Sequence, residues 1–266
     1  MTAYYDRPIF AVSDLHMGDG GPRDNFAYGD REKEFLGFLD HVESQNGELV
    51  ICGDLFELWQ ANMSRVLTWR RALMDRLAKM GATYILGNHD VDLWYFINTG
   101  LLNHPLLSTM RAYYVTHRGG RGFYFCHGHE ADPYCASKNP GLGRITAIYS
   151  GLKEDKNGGP MLNKYRTVED RVVGRMERWV SFWNRLRGKP DRFVSINRNL
   201  KLMIPNEAIV ICGHTHLPGR IDDWHYNCGT WAERRNSFVQ IDAAGRIGVY
   251  DWVGGSPQEN RTELRI

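Results

Sequence analysis

Residues 208–216 read AIVICGHTH, an apolar, β-branched run that stops at a glycine and is followed by two histidines. Such a short, continuous apolar run predicts a strand that is buried on both faces of a sheet. In helix-covered sheets, ligands bind at the carboxyl ends of the strands. His214 and His216 therefore indicate a site at the end of this strand.

Four other stretches have the same form, an apolar run that ends at polar residues. They are PIFAVSDLH (8–16), ELVICGD (48–54), ATYILGNHD (82–90) and GFYFCHGH (122–129). Between the first three lie segments with apolar residues at helical spacing, residues 30–43 and 64–80. Strands that alternate with helices predict βαβ units, whose strand ends meet at one edge of a sheet. We expect the five polar clusters to converge there, with glycines allowing the chain to turn sharply.

The converging side chains are two carboxylates, one amide and four imidazoles. They are Asp14, His16, Asp54, Asn88, His127, His214 and His216. Burying them without a partner would cost ~1–3 kcal/mol per unpaired polar group, and more for each charge. Divalent cations would remove that cost, and the donors exceed what one tetrahedral ion accepts. Mixed nitrogen and oxygen ligands favour manganese, iron or zinc, and we expect two ions, with manganese first.

Length, composition and net charge limit the classes of protein to which the chain can belong. The chain has 266 residues and 42% hydrophobic content, which suits one large domain or a domain with an insertion. The net charge of +2 gives no field that would attract long nucleic acids. No apolar run is long enough for a membrane span or a secretion signal, so we expect a cytoplasmic protein, with the inner membrane face as an alternative location. Five cysteines without a CxxC pair predict buried, reduced thiols.

The motifs resemble those of the calcineurin-like metallophosphoesterases. The signature is D-x-H, G-D, G-N-H followed by D or E, a histidine after a strand, and G-H-x-H. Here it stands, in order, at 14–16, 53–54, 87–90, 127 and 213–216. The resemblance implies an α/β layered sandwich, in which two mixed β-sheets are flanked by helices. It also implies hydrolysis of a phosphoester by a hydroxide that bridges two metals.

The resemblance further implies a role for each matching residue. One metal would be held by Asp14, His16, Asp54 and His216, and the other by Asp54, Asn88, His127 and His214. His89 matches the family's histidine beside the leaving group, and Asp90 would orient it through a hydrogen bond. His129 would line the site. His41, His104, His117 and His225 lie outside the motifs, and we expect structural roles for them.

SDLHMG, GDLFELW and HGHEADPYC are similar to the branch that contains the UDP-2,3-diacylglucosamine hydrolases. These enzymes cleave a pyrophosphate bond in a nucleotide-linked lipid and carry a helical cap before GHTH. Residues 131–205 are long enough for such a cap within a single domain of residues 1–266. Two positions depart from the branch, which usually has arginine in place of His89 and aspartate in place of His129.

Within this interval, residues 167–189 show apolar residues at helical spacing, and residues 164–192 have an excess of basic residues. One interpretation is a solvated amphipathic helix packed on the core. The other is a cap that grips an anionic amphiphile or touches a membrane surface. In that case Trp179 would contact an acyl or base group, and Arg171, Arg175 or Arg178 would contact a phosphate.

These observations predict a phosphohydrolase for a phosphodiester or pyrophosphate bond in a small, phosphorylated substrate, with an amphiphilic nucleotide-lipid as one candidate. Two alternatives stay open: a cyclic-nucleotide or other small phosphodiesterase, and a non-enzymatic scaffold that kept the metal site. Beyond GHTH, alternation around Gly245 predicts closing antiparallel strands, and the polar tail from Gly254 predicts no regular structure.

Overall fold

The computed structural model describes residues 7–22, 24–133, 135, 192–205, 207–232 and 235–264. The chain divides into two compact units. One is Met1–His129 with Ile204–Arg265, and the other is Glu130–Met203 with the last residue.

The first unit contains eleven described strands and four helices. The strands are β1 (Ile9–Val12), β2 (Glu48–Cys52), β3 (Thr83–Ile85), β4 (Tyr114–Arg118), β5 (Arg121–Phe125), β6 (Ile209–Cys212), β7 (Gly219–Asp222), β8 (His225–Asn227), β9 (Asn236–Ile241), β10 (Ile247–Val253) and β11 (Ser256–Glu259). The helices are α1 (Arg31–Ser44), α2 (Met63–Trp69), α3 (Arg71–Lys79) and α4 (Asp92–Asn98).

The strands form two mixed sheets. The first has the order β11-β10-β9-β1-β2-β3, in which β1, β2 and β3 are parallel and β9, β10 and β11 are joined by antiparallel pairs. The second has the order β4-β5-β6-β8-β7, with β5, β6 and β8 parallel and an antiparallel strand at each edge. Two mixed sheets with helices confirm the predicted α/β fold class.

Side chains of β1 alternate between two cores. Ile9 and Ala11 belong to a buried cluster that also contains Phe123 of β5 and Ile211 of β6, so this core lies between the sheets. Phe10 and Val12 belong to a larger cluster with the buried faces of α1 and α3. Both faces of the strand are therefore apolar, which explains the continuous apolar runs.

The helix predicted over residues 64–80 is divided into α2 and α3. The chain leaves helical geometry at Arg70, whose φ is −89° and ψ is 7°. The guanidinium of Arg70 is buried, donates to the carbonyl of Gly18 and pairs with Asp24 and Glu32. Periodicity could not predict this break, because the partners of Arg70 lie far away in the sequence.

Of the two predictions for the carboxyl-terminal region, the antiparallel strands are confirmed and the irregular tail is wrong. β9 and β10 pair around a turn in which Gly245 has a φ of +78°, as expected. The prediction for the tail is wrong, because Ser256–Glu259 forms β11 and pairs with β10. This strand is polar because it lies at the sheet edge with all four residues exposed.

In the second unit the structure describes α5 (Arg192–Met203), and a 3-10 turn (His129–Ala131) spans the point where the chain passes from the first unit to the second. Asp132 is buried and accepts hydrogen bonds from Arg192 Nε at 3.0 Å and Nη2 at 2.5 Å. The predicted cap helix, with Arg171, Arg175, Arg178 and Trp179, lies outside the described residues, and the boundaries of the cap stay a prediction. Among the helices that the structure describes, none is long and apolar enough to cross a bilayer.

Candidate metal centre

The predicted ligands follow the carboxyl ends of strands from both sheets. Asp14 follows β1, Asp54 follows β2 and Asn88 follows β3 in the first sheet. His127 follows β5 and His214 follows β6 in the second sheet. The parallel pairing of β1 with β2, and of β5 with β6, places these ends side by side.

Four ligand atoms surround a first position. His216 Nε2 lies 3.1 Å from Asp14 Oδ1 and 3.3 Å from His16 Nε2. His16 Nε2 lies 3.6 Å from Asp14 Oδ1 and 3.8 Å from Asp54 Oδ2. Atoms bound about 2.1 Å from a shared ion lie roughly 3–3.5 Å from one another. The spacing therefore fits a cation at this position.

A second position adjoins the first through Asp54. His127 Nε2 lies 3.3 Å from Asp54 Oδ2 and 3.1 Å from Asn88 Oδ1. The ring of His214 lies 5.1 Å from the ring of His127, between centroids. Asp54 Oδ2 thus faces both positions, which is the geometry that a bridging carboxylate needs.

Asp14 gives a direct test of whether these residues suit a cation. Its Oδ2 accepts hydrogen bonds from Ser13 Oγ and from the backbone nitrogen of His214. Its Oδ1 is buried and has no hydrogen-bond partner among the described residues, although it faces the nitrogens of His16 and His216. A buried carboxylate oxygen in such a place is costly, and a divalent cation would satisfy it.

Most of the predicted ligands share a strained, left-handed backbone conformation. Among the described residues other than glycine, seven have positive φ, and five of them are predicted ligands. These five are Asp14 (54°), His16 (46°), Asp54 (50°), His214 (69°) and His216 (58°). Left-handed backbone is disfavoured for residues with a Cβ, and such strain is concentrated at functional sites.

Three motif glycines permit close packing around the ligands. A Cβ at Gly87 would overlap Asp54 Oδ1, and one at Gly53 would overlap the ring of His127. A Cβ at Gly213 would overlap Ser13 Oγ and Asp14 Oδ2. These glycines are therefore required by the close approach of other side chains.

Electrostatics also favour a cation. Burial opposes ionisation of Asp14, but His216, His127 and His16 hold the pKa of its carboxyl well below its usual range. Burial would lower the pKa of His16, but its carboxylate neighbours Asp14, Glu57 and Asp54 raise it well above its usual value. In the absence of metal, these carboxylates therefore favour the protonated form of His16. A cation bound by His16 would displace that proton.

Hydrogen bonds behind the ligands orient two of the imidazoles. His127 Nδ1 lies 2.8 Å from the carbonyl oxygen of Cys52. His16 Nδ1 lies 3.2 Å from Glu57 Oε2. Because these oxygens accept hydrogen bonds, both Nδ1 atoms carry the hydrogen and both Nε2 atoms are available to a metal.

Glu57 is a site residue that the sequence analysis missed. It is buried, and its Oε2 lies 2.8 Å from His89 Nδ1 as well as near His16. Burial opposes its ionisation, but His89 and His16 lower the pKa of Glu57 to about 2. The available signal was its position in GDLFELW, three residues after Asp54.

The prediction that Asp90 accepts a hydrogen bond from His89 is wrong. Asp90 instead accepts hydrogen bonds from Gly87 N at 2.8 Å, from Leu55 N at 2.8 Å and from the hydroxyl of Tyr84. Burial and repulsion by Asp54 raise the pKa of Asp90 to about 6. Asp90 therefore links the G-N-H-D turn to the loop after β2 through hydrogen bonds. The carboxylate that contacts His89 is that of Glu57.

His89 lies at the edge of the centre. Its Nε2 is 4.0 Å from Asp54 Oδ2, and its ring meets the ring of His16 edge to face at 4.6 Å. The indole of Trp59 stacks on it at 3.8 Å with an interplanar angle of 22°. The ring of His129 lies 5.3 Å from that of His127, consistent with a residue that lines the site.

The family profile of the calcineurin-like phosphoesterases matches residues 7–218. The chain belongs to this family. No curated protein matches it at a significant level.

The chain is similar to solved structures of low sequence identity. A dimetal phosphatase from Danio rerio is 13% identical, with a TM-score of 0.52 and 97% of each chain covered. A vacuolar protein sorting 29 from Cryptosporidium parvum is 14% identical, with a TM-score of 0.45 and 98% of each chain covered.

Proposed function

We propose that this protein is a dinuclear metal-dependent phosphohydrolase that cleaves a phosphodiester or pyrophosphate bond. The observation that carries the proposal is the position of Asp54 Oδ2, which faces His16 Nε2 at 3.8 Å and His127 Nε2 at 3.3 Å. A buried carboxylate oxygen between two sets of nitrogen and oxygen donors suits two adjacent divalent ions. Membership of the calcineurin-like phosphoesterase family supports the same chemistry.

The ligand sets are those expected from the motifs. Asp14, His16, Asp54 and His216 would hold one ion, and Asp54, Asn88, His127 and His214 would hold the other. When bound, a pair of such ions supplies positive charge for phosphoryl oxygens and a hydroxide nucleophile at neutral pH. Manganese is our first expectation, with iron and zinc as alternatives.

The protein's own contribution to bond cleavage lies with His89. Its Nδ1 contacts Glu57, so its Nε2 side is directed toward Asp54. We propose that Nε2 stabilises or protonates the departing oxygen, which typically contributes about 10²–10⁴-fold. Trp59, stacked on the ring, limits its rotation.

The substrate proposal rests on the likeness of GDLFELW and HGHEADPYC to the UDP-2,3-diacylglucosamine hydrolases. We propose UDP-2,3-diacylglucosamine or a related nucleotide-lipid as substrate, and a cytoplasmic location with access to the inner membrane face.

The reaction is tested with bis-p-nitrophenyl phosphate, with and without Mn²⁺. We expect metal-dependent hydrolysis that is abolished by Asp54→Asn and lowered at least about 10²-fold by His89→Ala. The matched control is Glu43→Gln, which removes a surface ion pair with Arg76. Folded protein that binds two ions but hydrolyses no phosphoester would instead support a scaffold.

The substrate is ranked with a panel of UDP-2,3-diacylglucosamine, CDP-alcohols and cyclic nucleotides, each assayed with the same metal-loaded protein. Preference for the nucleotide-lipid supports the proposed branch. Preference for a cyclic nucleotide would replace it with the phosphodiesterase alternative.

A further inference from the structure

The chain that ends β8 and follows it, residues 227–232 (NCGTWA), contains no predicted ligand, yet all six residues are buried. We propose that this segment positions ligands of both ions, by holding two left-handed ligand turns through hydrogen bonds. The inference rests on the proposed function, because it takes Asp14, His214 and His216 as metal ligands. It adds positioning residues that lie outside the five motifs.

The place of β8 in the second sheet brings the segment to a ligand turn. β8 lies parallel beside β6, and Asn227 at the end of β8 pairs with Cys212 at the end of β6. Cys228 N then donates to the carbonyl of Cys212 at 2.7 Å. The segment therefore begins beside the G-H-T-H turn that follows β6.

The side chain of Asn227 bonds this turn on both sides of His214. Its Nδ2 donates to the carbonyl of Gly213 at 2.6 Å and to Thr215 Oγ1 at 3.1 Å. Its Oδ1 accepts a hydrogen bond from Gly229 N at 2.8 Å. The amide is thus oriented by its own segment, and its donor side faces the turn.

A second pair of contacts holds Asp14. The carbonyl oxygen of Asp14 accepts hydrogen bonds from Thr230 Oγ1 at 2.9 Å and from Trp231 N at 3.1 Å. Thr230 Oγ1 itself accepts a hydrogen bond from Ala232 N at 3.0 Å, so the hydroxyl hydrogen is directed to Asp14. Two donors on one carbonyl fix the peptide plane that follows Asp14.

The segment is itself anchored in the core. The indole of Trp231 lies 5.0 Å from the ring of Phe35 and 5.2 Å from that of Phe38, between centroids. Its Nε1 donates to the carbonyl of Ser237 at 2.8 Å. Gly229 has a φ of +74°, and a Cβ there would lie 2.1 Å from Ser237 Oγ. Such close contacts leave the segment little room to shift.

The backbone of the ligand turns explains why support is needed. Asp14, His214 and His216 have φ values of 54°, 69° and 58°. Left-handed backbone is unfavourable for residues with a side chain, and it persists only where the surroundings fix it. The segment supplies such fixed hydrogen bonds at both turns, so an ion would not have to order these ligands itself.

A purely structural role is the competing interpretation, because buried hydrogen bonds also stabilise the fold. The two interpretations differ in what the loss of the Thr230 hydroxyl changes. If Thr230 only stabilises, Thr230→Val lowers the Tm and leaves the Kd of each ion unchanged. If Thr230 positions Asp14, the Kd of one ion rises as well, and Thr230→Ser, which keeps the hydroxyl, restores it.

The test is a titration of metal-free protein with Mn²⁺, followed by electron paramagnetic resonance. We expect Thr230→Val to raise the Kd of one of the two ions by about 10–100-fold, because Asp14 is a ligand of the first position only. Two Mn²⁺ ions that share Asp54 are magnetically coupled, and this coupled signal should appear only at higher Mn²⁺ concentration. Unchanged Kd values in folded Thr230→Val would overturn the role of Thr230.

The matched control is Thr109→Val. Thr109 Oγ1 donates to the carbonyl oxygens of Ala82 at 3.0 Å and Leu106 at 2.8 Å, at the opposite end of β3 from Asn88. This variant also loses a hydroxyl that donates to the backbone, so it should lower the Tm and leave both Kd values unchanged. If it raised a Kd as much as Thr230→Val does, the effect would be one of stability alone, and the inference would be wrong.

Asn227→Leu tests the other contact with a side chain of similar size that has no amide. We expect a Kd about 10-fold or more higher for both ions, because the turn carries a ligand of each position, His216 and His214. A folded variant in which neither Kd rises, or only one, would contradict the role of Asn227. If this variant does not fold, Thr230→Val and Thr230→Ser decide the inference.

The outcomes keep the inference separate from the proposed function. If the unmodified protein binds two ions and hydrolyses bis-p-nitrophenyl phosphate, and the Thr230 and Asn227 variants bind both ions equally well, the inference alone fails. Two bound ions without hydrolysis would refute the phosphohydrolase, and the Kd values would still decide the inference. If the unmodified protein binds no Mn²⁺, both fail together.

Discussion

The residues beside a predicted ligand decide how closely another loop can approach it. Gly87 lies directly against Asp54, whose Oδ1 accepts the backbone N–H of His89 at 2.8 Å while Oδ2 faces both ion positions. The G-N-H-D turn can approach this carboxylate only because position 87 has no side chain. The glycine thus contributes to metal binding without being a ligand.

Gly87→Ala tests this close approach. The added Cβ would overlap Asp54 Oδ1 and its backbone nitrogen, so the carboxylate or the turn must move. We expect a loss of Mn²⁺ affinity of about 10-fold or more and a destabilisation of ~1–3 kcal/mol. Gly37→Ala in α1 is the control, because its Cβ would meet nothing closer than 3.9 Å. Unchanged Mn²⁺ binding in folded Gly87→Ala would contradict the account.

Metal uptake should depend on pH. The carboxylates around His16 raise its pKa well above the usual value, so a metal must displace a proton from the ring. Affinity should therefore rise with pH until the ring is deprotonated without metal, by up to about tenfold per unit for each proton released. Calorimetric titration with Mn²⁺ in buffers of different ionisation enthalpy measures the protons released. Binding without proton release would be inconsistent with this.

The sequence predicted that the seven candidate ligands follow strand ends, because strand ends and glycines are visible as local patterns. It could not predict Glu57 or the contacts of Asp90. Those depend on which loops meet after folding: Glu57 contacts His89 across 32 positions and Asp90 contacts Leu55 across 35. The residue types at strand ends can thus be predicted from the sequence, whereas the hydrogen bonds that support these residues cannot.

At the scale of elements, the second sheet carries a buried histidine away from the ligands. His225 of β8 is buried, and its Nε2 lies 3.0 Å from Cys212 Sγ of β6. Burial lowers the pKa of His225 to about 4. The strand pair therefore folds with a neutral imidazole, as expected for a structural histidine.

This lowered pKa predicts a loss of stability in mild acid. Between about pH 6.5 and 4 the unfolded chain binds a proton at His225 that the folded chain does not, so stability falls as pH falls. From pH 7 to pH 5 the loss from this group is about 2 kcal/mol. Denaturant unfolding of metal-free protein at both values measures it. His225→Gln should reduce the difference in unfolding free energy between pH 7 and pH 5. The same difference in His225→Gln as in the unmodified protein would contradict a neutral, buried His225.

Periodicity predicted α1 and the buried strands well, since their apolar faces are local in the sequence. Periodicity predicted one helix over residues 64–80, because the break depends on the ion pair of Arg70 with Asp24, which spans 46 positions. It missed β11 because an exposed edge strand has no apolar face. Elements that depend on a buried face are therefore more predictable than those that depend on a partner.

At the scale of the whole first unit, the candidate centre joins loops from both sheets. Ligands after β1, β2 and β3 come from one sheet, and those after β5 and β6 come from the other. Ions bound there would hold these loops together. We therefore expect metal binding to stabilise the folded state.

Mn²⁺ should therefore raise the Tm. A ligand that binds only the folded state contributes about 2.7 kcal/mol per site at a concentration 100 times its Kd. We expect Asp54→Asn to lose most of this stabilisation. Reductant should not change the Tm, because the five cysteines are reduced thiols. Calorimetry of the metal-free and Mn²⁺-loaded proteins measures both Tm values. The same Tm with and without Mn²⁺ would count against a site that joins the sheets.

The most direct test of the central claim is the number of divalent ions per folded chain, measured by elemental analysis after equilibration with Mn²⁺ and removal of free ion. A paired centre that shares Asp54 predicts two ions in the unmodified protein and fewer in Asp54→Asn. One ion or none in well-folded, unmodified protein would contradict it.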